Sequence, residues 1–168
     1  MNLNKLIAGI DRVAGFEAAD AHCDIPCKIY DPSTAQIAAL TMLRMVDLIQ
    51  DTEKAADGNL DTKALNSMVR FIDTKEEHGR AVKDEVRVIW GDYFKTPQFE
   101  QFPEIHELTH SIMLLASACK QHVDREKTLQ LIEAVNRFAE IFWATKNVAT
   151  KRAECPYPPS VEVVYPDL

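Results

Sequence analysis

Glycine is scarce in this chain, which has five glycines among its 168 residues. A fold made of many short strands needs tight turns rich in glycine, so the shortage disfavours an all-β architecture. No apolar run approaches the roughly 20 residues that a membrane-spanning helix requires. The formal net charge is −7, which disfavours nucleic acid and anionic membrane surfaces as partners. These shortages favour one helical domain that acts away from nucleic acid and membranes.

The N-terminal segment lacks the long apolar core of a secretory signal. Its longest apolar stretch covers residues 6–10, whereas a signal needs about 7–15 such residues behind a basic start. The segment nevertheless ends in Ala19, Asp20 and Ala21, which look like a small-residue cleavage site. We therefore expect residues 1–21 to be a leader removed by a processing protease, and the mature protein to be cytoplasmic.

Four stretches of the remaining chain carry apolar residues at helical spacing. The first is predicted to be capped by Ser33 or Thr34 and to run to about residue 50, and the second follows the cap residue Asp61 to about residue 94. The third covers about 103–122, and the fourth follows the cap residue Asp124. The predicted apolar faces are Ala39, Met42, Val46 and Ile49; Val69, Ile72, Val82, Val86, Ile89 and Tyr93; Ile105, Leu108, Ile112, Leu115 and Cys119; and Leu131, Val135, Phe138 and Phe142. This pattern predicts an all-α fold, an antiparallel four-helix bundle, followed by an irregular proline-rich tail over 147–168.

Three good metal ligands, His22, Cys23 and Cys27, fall within six residues. Pro26 and Pro32 exclude a regular helix around them. If His22 is the N-terminus, its amine, the Cys23 amide and the two thiolates can form a square plane, with the imidazole above it. Such a site suits nickel(II) or copper(II), whereas zinc prefers a tetrahedron. Spacing alone leaves coincidence open, and a Cys23–Cys27 disulfide in metal-free protein remains possible.

The wider string over residues 22–32 is His-Cys-Asp-Ile-Pro-Cys-Lys-Ile-Tyr-Asp-Pro. It closely resembles the nickel hook of the nickel superoxide dismutases, H-C-D-x-P-C-x-x-Y-D-P. The resemblance continues in residues 90–95, 102–106 and 141–146, and it covers about 22–146. It implies an antioxidant enzyme that disproportionates superoxide to oxygen and hydrogen peroxide by cycling nickel between +3 and +2. It also implies a homohexamer of four-helix bundles with one nickel ion per subunit.

The resemblance assigns roles to individual residues. His22 would supply the amine and an axial imidazole, Cys23 its amide and thiolate, and Cys27 the second thiolate.

Three further residues would act around the metal. Asp24 would order the hook, although it can also be a plain turn residue. Tyr30 would stand over the open face, admitting small anions and ordering water. Tyr93 would support Tyr30, although simple packing explains it equally well.

The chain departs from the family pattern at three positions. Some members hold the axial imidazole with a glutamate and an arginine, and here Ala38 and His78 take those places. Lys28 replaces an expected glycine. We expect Lys28, and more weakly Lys95, to attract the superoxide anion.

A rival reading is a non-catalytic protein that binds or delivers nickel or copper, since it would need the same ligands. Cys119 is expected in the core, whereas Cys155 in the tail could be a reactive thiol. His106 and His110 have the i, i+4 spacing of a metal pair, but no third ligand is at hand.

Overall fold

The computed structural model describes residues 28–168, which are mainly helical as predicted. The helices are α1 (Ser33–Ala56), α2 (Thr62–Val88), α3 (Thr96–Gln101), α4 (Ile105–Gln121) and α5 (Arg125–Thr145). A π-helical turn, Ile89–Tyr93, continues α2, and the strands β1 (Thr150–Glu154) and β2 (Glu162–Pro166) follow α5. Among these described helices, none combines the length and the apolar character that crossing a bilayer requires.

The four long helices enclose the core. Helix α1 packs against α2 and α5, and α4 packs against the same two helices. Most residues of the predicted apolar faces are buried, which confirms those faces: Ala39, Met42, Val46, Ile49, Val82, Val86, Ile89, Ile105, Ile112, Cys119, Leu131, Val135, Phe138 and Phe142. The apolar stripe of each helix therefore faces its neighbours, as burial of nonpolar surface requires.

The predicted caps of the second and fourth helices are confirmed. The Asp61 carboxylate accepts a hydrogen bond from the Ala64 amide at 2.7 Å, and that of Asp124 accepts one from Lys127 at 3.0 Å. The prediction for α1 was wrong, because neither Ser33 nor Thr34 caps it. Pro32 is the N-cap residue, and Asp31 Oδ1 accepts from the Ser33 amide at 2.8 Å. Helix α1 also runs to Ala56, beyond the predicted end.

The first half of α2 departs from the predicted face. Val69 and Ile72 are 66% and 43% exposed. Each follows a more buried residue, Met68 or Phe71, by one position. Consecutive residues of a helix are rotated by about 100° around its axis. The predicted face, shifted by one residue from the buried one, therefore points to solvent.

Lys75 lies in the buried seam of α2, and it is only 2% exposed. Its ammonium group donates to the backbone carbonyls of Cys119, at 2.7 Å, and Lys120. These carbonyls end α4, where a cation satisfies free acceptors and interacts favourably with the helix dipole. Burial nevertheless lowers the pKa of Lys75, because it disfavours the charged amine.

The C-terminal tail is a β-hairpin, so the prediction of an irregular segment was wrong. Strands β1 and β2 pair antiparallel, with Arg152 opposite Val164. Three of the four prolines lie in the loop between the strands, and the fourth ends β2, so none interrupts the ladder. The run of β-branched and aromatic residues over 161–165 was the available signal.

Candidate metal centre

The four residues predicted to form the nickel hook, His22, Cys23, Asp24 and Cys27, lie outside the described residues. Over residues 28–168, no group of three or more His, Cys, Asp and Glu side chains is arranged to hold a metal ion. The donors of segment 22–27 do fit nickel, since thiolate and imidazole are ligands that this metal accepts. The described part of the site is therefore what immediately follows the ligands and what packs against it.

The rings of Tyr30 and Tyr93 lie against each other in the structure. Their ring centroids lie 5.7 Å apart with the planes inclined at 53°. Both side chains are half-buried. A cavity of about 220 Å³ beside Tyr30 separates the start of α1 from the end of α2. The pair thus joins the segment that leaves the predicted ligands to the helical core.

Tyr93 is held on several sides by the core. Its ring lies 4.9 Å from that of Phe142 and 5.3 Å from that of Phe94, measured between centroids. Its hydroxyl lies 2.7 Å from Thr145 Oγ1, and Thr145 Oγ1 lies 2.6 Å from the Phe142 carbonyl. Thr145 has one hydroxyl proton, which it donates to that carbonyl, so Tyr93 is the donor to Thr145. The Tyr93 proton is therefore committed to Thr145 at the end of α5.

The π-helical turn places Tyr93 at this position. The Phe94 amide donates to the Ile89 carbonyl at 3.3 Å, five residues earlier rather than four. Such turns insert an extra residue into a helix and are frequent at functional sites. The apolar spacing of the second helix gave no sign of it.

Sequence reasoning missed a cation at the site, Lys146. Its ammonium nitrogen lies 4.8 Å from the centroid of the Tyr93 ring and 5.0 Å from that of Phe142. A cation over an aromatic face is attracted by the negative face of the ring. The position of Lys146 at the end of the 141–146 resemblance was the only signal.

The two lysines that were expected to attract superoxide are both exposed. Lys28 has a left-handed backbone, with φ of 58°. The Lys95 ammonium donates to the Gly91 carbonyl at 3.0 Å, on the π-helical turn. Lys95 is therefore anchored near Tyr93 along the chain, whereas Lys146 lies directly over its ring.

Two of the three positions that depart from the family pattern, Ala38 and His78, lie on α1 and α2. Ala38 is 3% exposed and has no polar group that could hold an imidazole. The His78 ring donates from Nδ1 to the Thr74 carbonyl at 2.9 Å, one turn earlier in its own helix. Because a carbonyl can only accept, this bond places a proton on Nδ1.

The other candidate residues, His106, Cys119 and Cys155, make packing contacts or hydrogen bonds within the protein. His106 Nδ1 accepts from Trp90 Nε1 at 3.2 Å, and its ring lies 4.3 Å from that of Phe99. Cys119 is fully buried, as predicted, and burial raises its pKa. Cys155 was predicted as a reactive thiol, but it is only 2% exposed, and its thiol donates to the Tyr157 carbonyl at 3.3 Å. Burial removes the access that a reactive cysteine needs.

Comparison with known proteins identifies the family. The sequence model described as nickel-containing superoxide dismutase matches residues 17–146. The chain is 35% identical over 126 residues to a nickel superoxide dismutase of Streptomyces seoulensis, which covers 75% of this chain and 88% of the relative. The enzyme of Streptomyces coelicolor is 33% identical over the same shares.

Solved structures show the same likeness. A crystal structure of Ni-containing superoxide dismutase, with nickel ligation corresponding to the oxidized state, matches with a TM-score of 0.63 and 32% identity. The match covers 75% of this chain and 99% of that one. A native structure of nickel superoxide dismutase matches over the same shares with a TM-score of 0.59. The chain therefore belongs to the family of nickel-containing superoxide dismutases, oxidoreductases whose metal is nickel.

Proposed function

We propose that segment 22–27 is the nickel site at which this chain disproportionates superoxide, with Tyr30 and Tyr93 at its approach. The observation that carries this proposal is the Tyr30–Tyr93 pair, with ring centroids 5.7 Å apart. Tyr30 follows Cys27 by three positions, and three steps of extended chain span at most about 11 Å. Any metal held by Cys27 is therefore near this tyrosine pair.

His22, Cys23 and Cys27 would hold the nickel ion, through the amine and imidazole of His22, the amide and thiolate of Cys23 and the thiolate of Cys27. Asp24 would order the segment between them. The bound nickel supplies one-electron cycling between the +3 and +2 states. In the overall reaction, two superoxide ions and two protons give one oxygen molecule and one hydrogen peroxide molecule.

The residues of the chain contribute access, charge and shielding. Tyr30 narrows the approach to small anions and orders water, which can carry the protons that peroxide needs. Tyr93 positions Tyr30 through the contact between their rings, and Tyr93 is itself held by the bond between its hydroxyl and Thr145. Lys146 presents positive charge over the Tyr93 ring, where an anionic substrate would arrive.

The proposal extends to the helix bundle, the division of the chain into leader and catalytic domain, and the oligomer. The packing of α1, α2, α4 and α5 supports an antiparallel four-helix bundle that carries the N-terminal hook. Residues 1–21 would be the removed leader and residues 22–146 the catalytic domain. We further propose a cytoplasmic homohexamer, in which neighbouring subunits help to cover each hook and shield its thiolates from oxidation.

Three measurements on one sample of native protein test this function. We expect about one nickel ion per chain by metal analysis, rapid superoxide disproportionation, and the mass of six chains by light scattering. Nickel without turnover would contradict the enzyme and favour a delivery protein. An active monomer would contradict the hexamer alone.

Replacing Lys146 with Gln should slow the reaction by about two- to fivefold, because superoxide is an anion and local positive charge raises its rate of arrival. The dependence on ionic strength should also weaken, since salt screens exposed charges over about 10 Å at 0.1 M. Stopped-flow measurement of kcat/KM from low to high salt checks both effects.

The matched control is Lys63→Gln. Lys63 lies at the start of α2, about 45 Å from Tyr93 along the helix axis, and carries the same charge. Its loss should leave the rate unchanged. Equal rates and equal salt dependence in the two variants would reject the role of Lys146.

A further inference from the structure

The C-terminal hairpin lies beyond the region that matches the family, which ends at Lys146. Its outer anchor is an ion-pair cluster on α5. The Arg152 guanidinium donates to both carboxylate oxygens of Glu133, at 2.7 and 2.8 Å, and to Glu140 at 2.9 Å. The hydrogen bonds to Arg152 hold the pKa of Glu133 below its usual range. These contacts fasten β1 to a helix that is already part of the core.

The inner anchor is a buried amide network that reaches the first turns of α1. Gln36 Nε2 donates to the Val164 carbonyl at 2.9 Å and to Asn136 Oδ1 at 3.2 Å. Asn136 Oδ1 also accepts from the Val164 amide at 3.2 Å, and Asn136 Nδ2 donates to the Glu162 carbonyl at 3.1 Å. Gln36 is 7% exposed and Asn136 is 1% exposed. Buried amides need such partners, so the network specifies one arrangement of α1, α5 and β2.

The hairpin also faces the residues that precede α1. Asp31 and Ser33 line one side of a cavity of about 120 Å³, and Tyr157, Tyr165 and Pro166 line another. Asp31 in turn accepts from the Ser33 amide at the start of the helix. The hairpin therefore lies next to the segment by which the chain leaves the predicted nickel ligands.

We propose that the C-terminal hairpin is a positioning element for the nickel-binding segment, acting through Gln36 and Asn136 on the start of α1. This inference rests on the proposed assignment of the ligands to residues 22–27. The proposed ligand segment precedes α1 in the chain, so a well-ordered first turn of α1 limits how far that segment can move. The hairpin braces that turn against α5, so it limits local opening of residues 28–33 and slows the release of the metal.

The test uses Gln36→Met, which keeps the length of the side chain and removes the amide. Trypsin can cut after Lys28, an exposed residue at the edge of this segment. In the nickel-free full-length chain, we expect this cleavage to be about tenfold faster in the variant. Two buried hydrogen bonds are lost, one to the Val164 carbonyl of the hairpin and one to Asn136 of α5. Intact mass identifies the fragment, and cleavage after Lys63 is the internal reference that should not change.

Nickel retention gives a second measurement. Release of nickel to a chelator from the processed, loaded protein should accelerate by a similar factor in Gln36→Met. Asn136→Leu, which breaks the same network from α5, should act in the same direction. The control is Ile49→Val, a core truncation about 20 Å further along α1 that weakens the fold without touching the hairpin. It should leave Lys28 cleavage and nickel release as in the unaltered protein.

The outcomes separate the two proposals. If nickel binding needs Cys23 and Cys27, but Gln36→Met and Asn136→Leu match the unaltered protein in both measurements, the hairpin has no positioning role. If Ile49→Val accelerates both processes equally, the effect is one of global stability, and the inference is also wrong. If nickel binds without either cysteine, the ligand assignment itself fails, whatever the hairpin variants do.

Discussion

Protein that begins at His22 should bind nickel and disproportionate superoxide, whereas the uncut chain beginning at Met1 should be at least about 100-fold slower. An internal peptide nitrogen at His22 is joined to Ala21, so it lacks the free lone pair of an amine. The imidazole and the Cys23 amide would then have to bind around a continuing backbone, which crowds the metal plane. Both forms are loaded with nickel, their termini are verified by intact mass, and their rates are compared.

A chain that begins at Ala21 is the sharpest control for this result. It differs from the active form by one residue. It has a free amine, but that amine belongs to Ala21 and not to His22. We expect it to behave like the uncut chain. Full activity from a verified uncut chain would show that the His22 amine is not a ligand.

Replacing either Cys23 or Cys27 with Ser should reduce bound nickel from about one ion per chain to almost none, and activity should be lost with it. A serine hydroxyl stays protonated at neutral pH, whereas a cysteine becomes a thiolate when it binds a metal. Helix content should not change, because the helices of the described residues all begin at or after Ser33. Metal analysis and circular dichroism of the same samples check both statements.

Cys155→Ala is the matched control for the loss of a thiol. Cys155 is buried in the hairpin loop, and its thiol donates to the Tyr157 carbonyl, so its removal tests thiol loss away from the predicted ligands. That variant should keep its nickel and its activity. Normal turnover at full nickel occupancy in Cys23→Ser or Cys27→Ser would exclude these thiolates as ligands.

The sequence by itself determined the four long helices, their main buried faces and the family. Apolar spacing identified Val82, Val86 and Ile89 on one buried face, since periodicity within a helix is a local property. Asp61 and Asp124 were recognisable as caps because a cap bonds to an amide only three residues away. The predicted nickel ligands could also be recognised from the sequence, because His22, Cys23 and Cys27 lie within six residues of each other.

The tertiary structure decided which neighbouring face meets a partner. Val69 and Ile72 have helical spacing, but the seam of α2 runs one position earlier, where Lys75 bonds to the end of α4. A rotation of about 100° per residue separates a buried face from an exposed one, and that rotation is set by the packed helices rather than by the pattern.

Contacts between residues far apart in the chain could not be predicted from the sequence either. Gln36 and Asn136 are 100 positions apart, and their hydrogen bond depends on how α1 packs against α5. Lys146 acquires its place over Tyr93 in the same way, because the end of α5 meets the π-helical turn that follows α2. The spacing of apolar and polar residues within one helix does not predict such tertiary contacts, because they form only when the packed core brings the helices together.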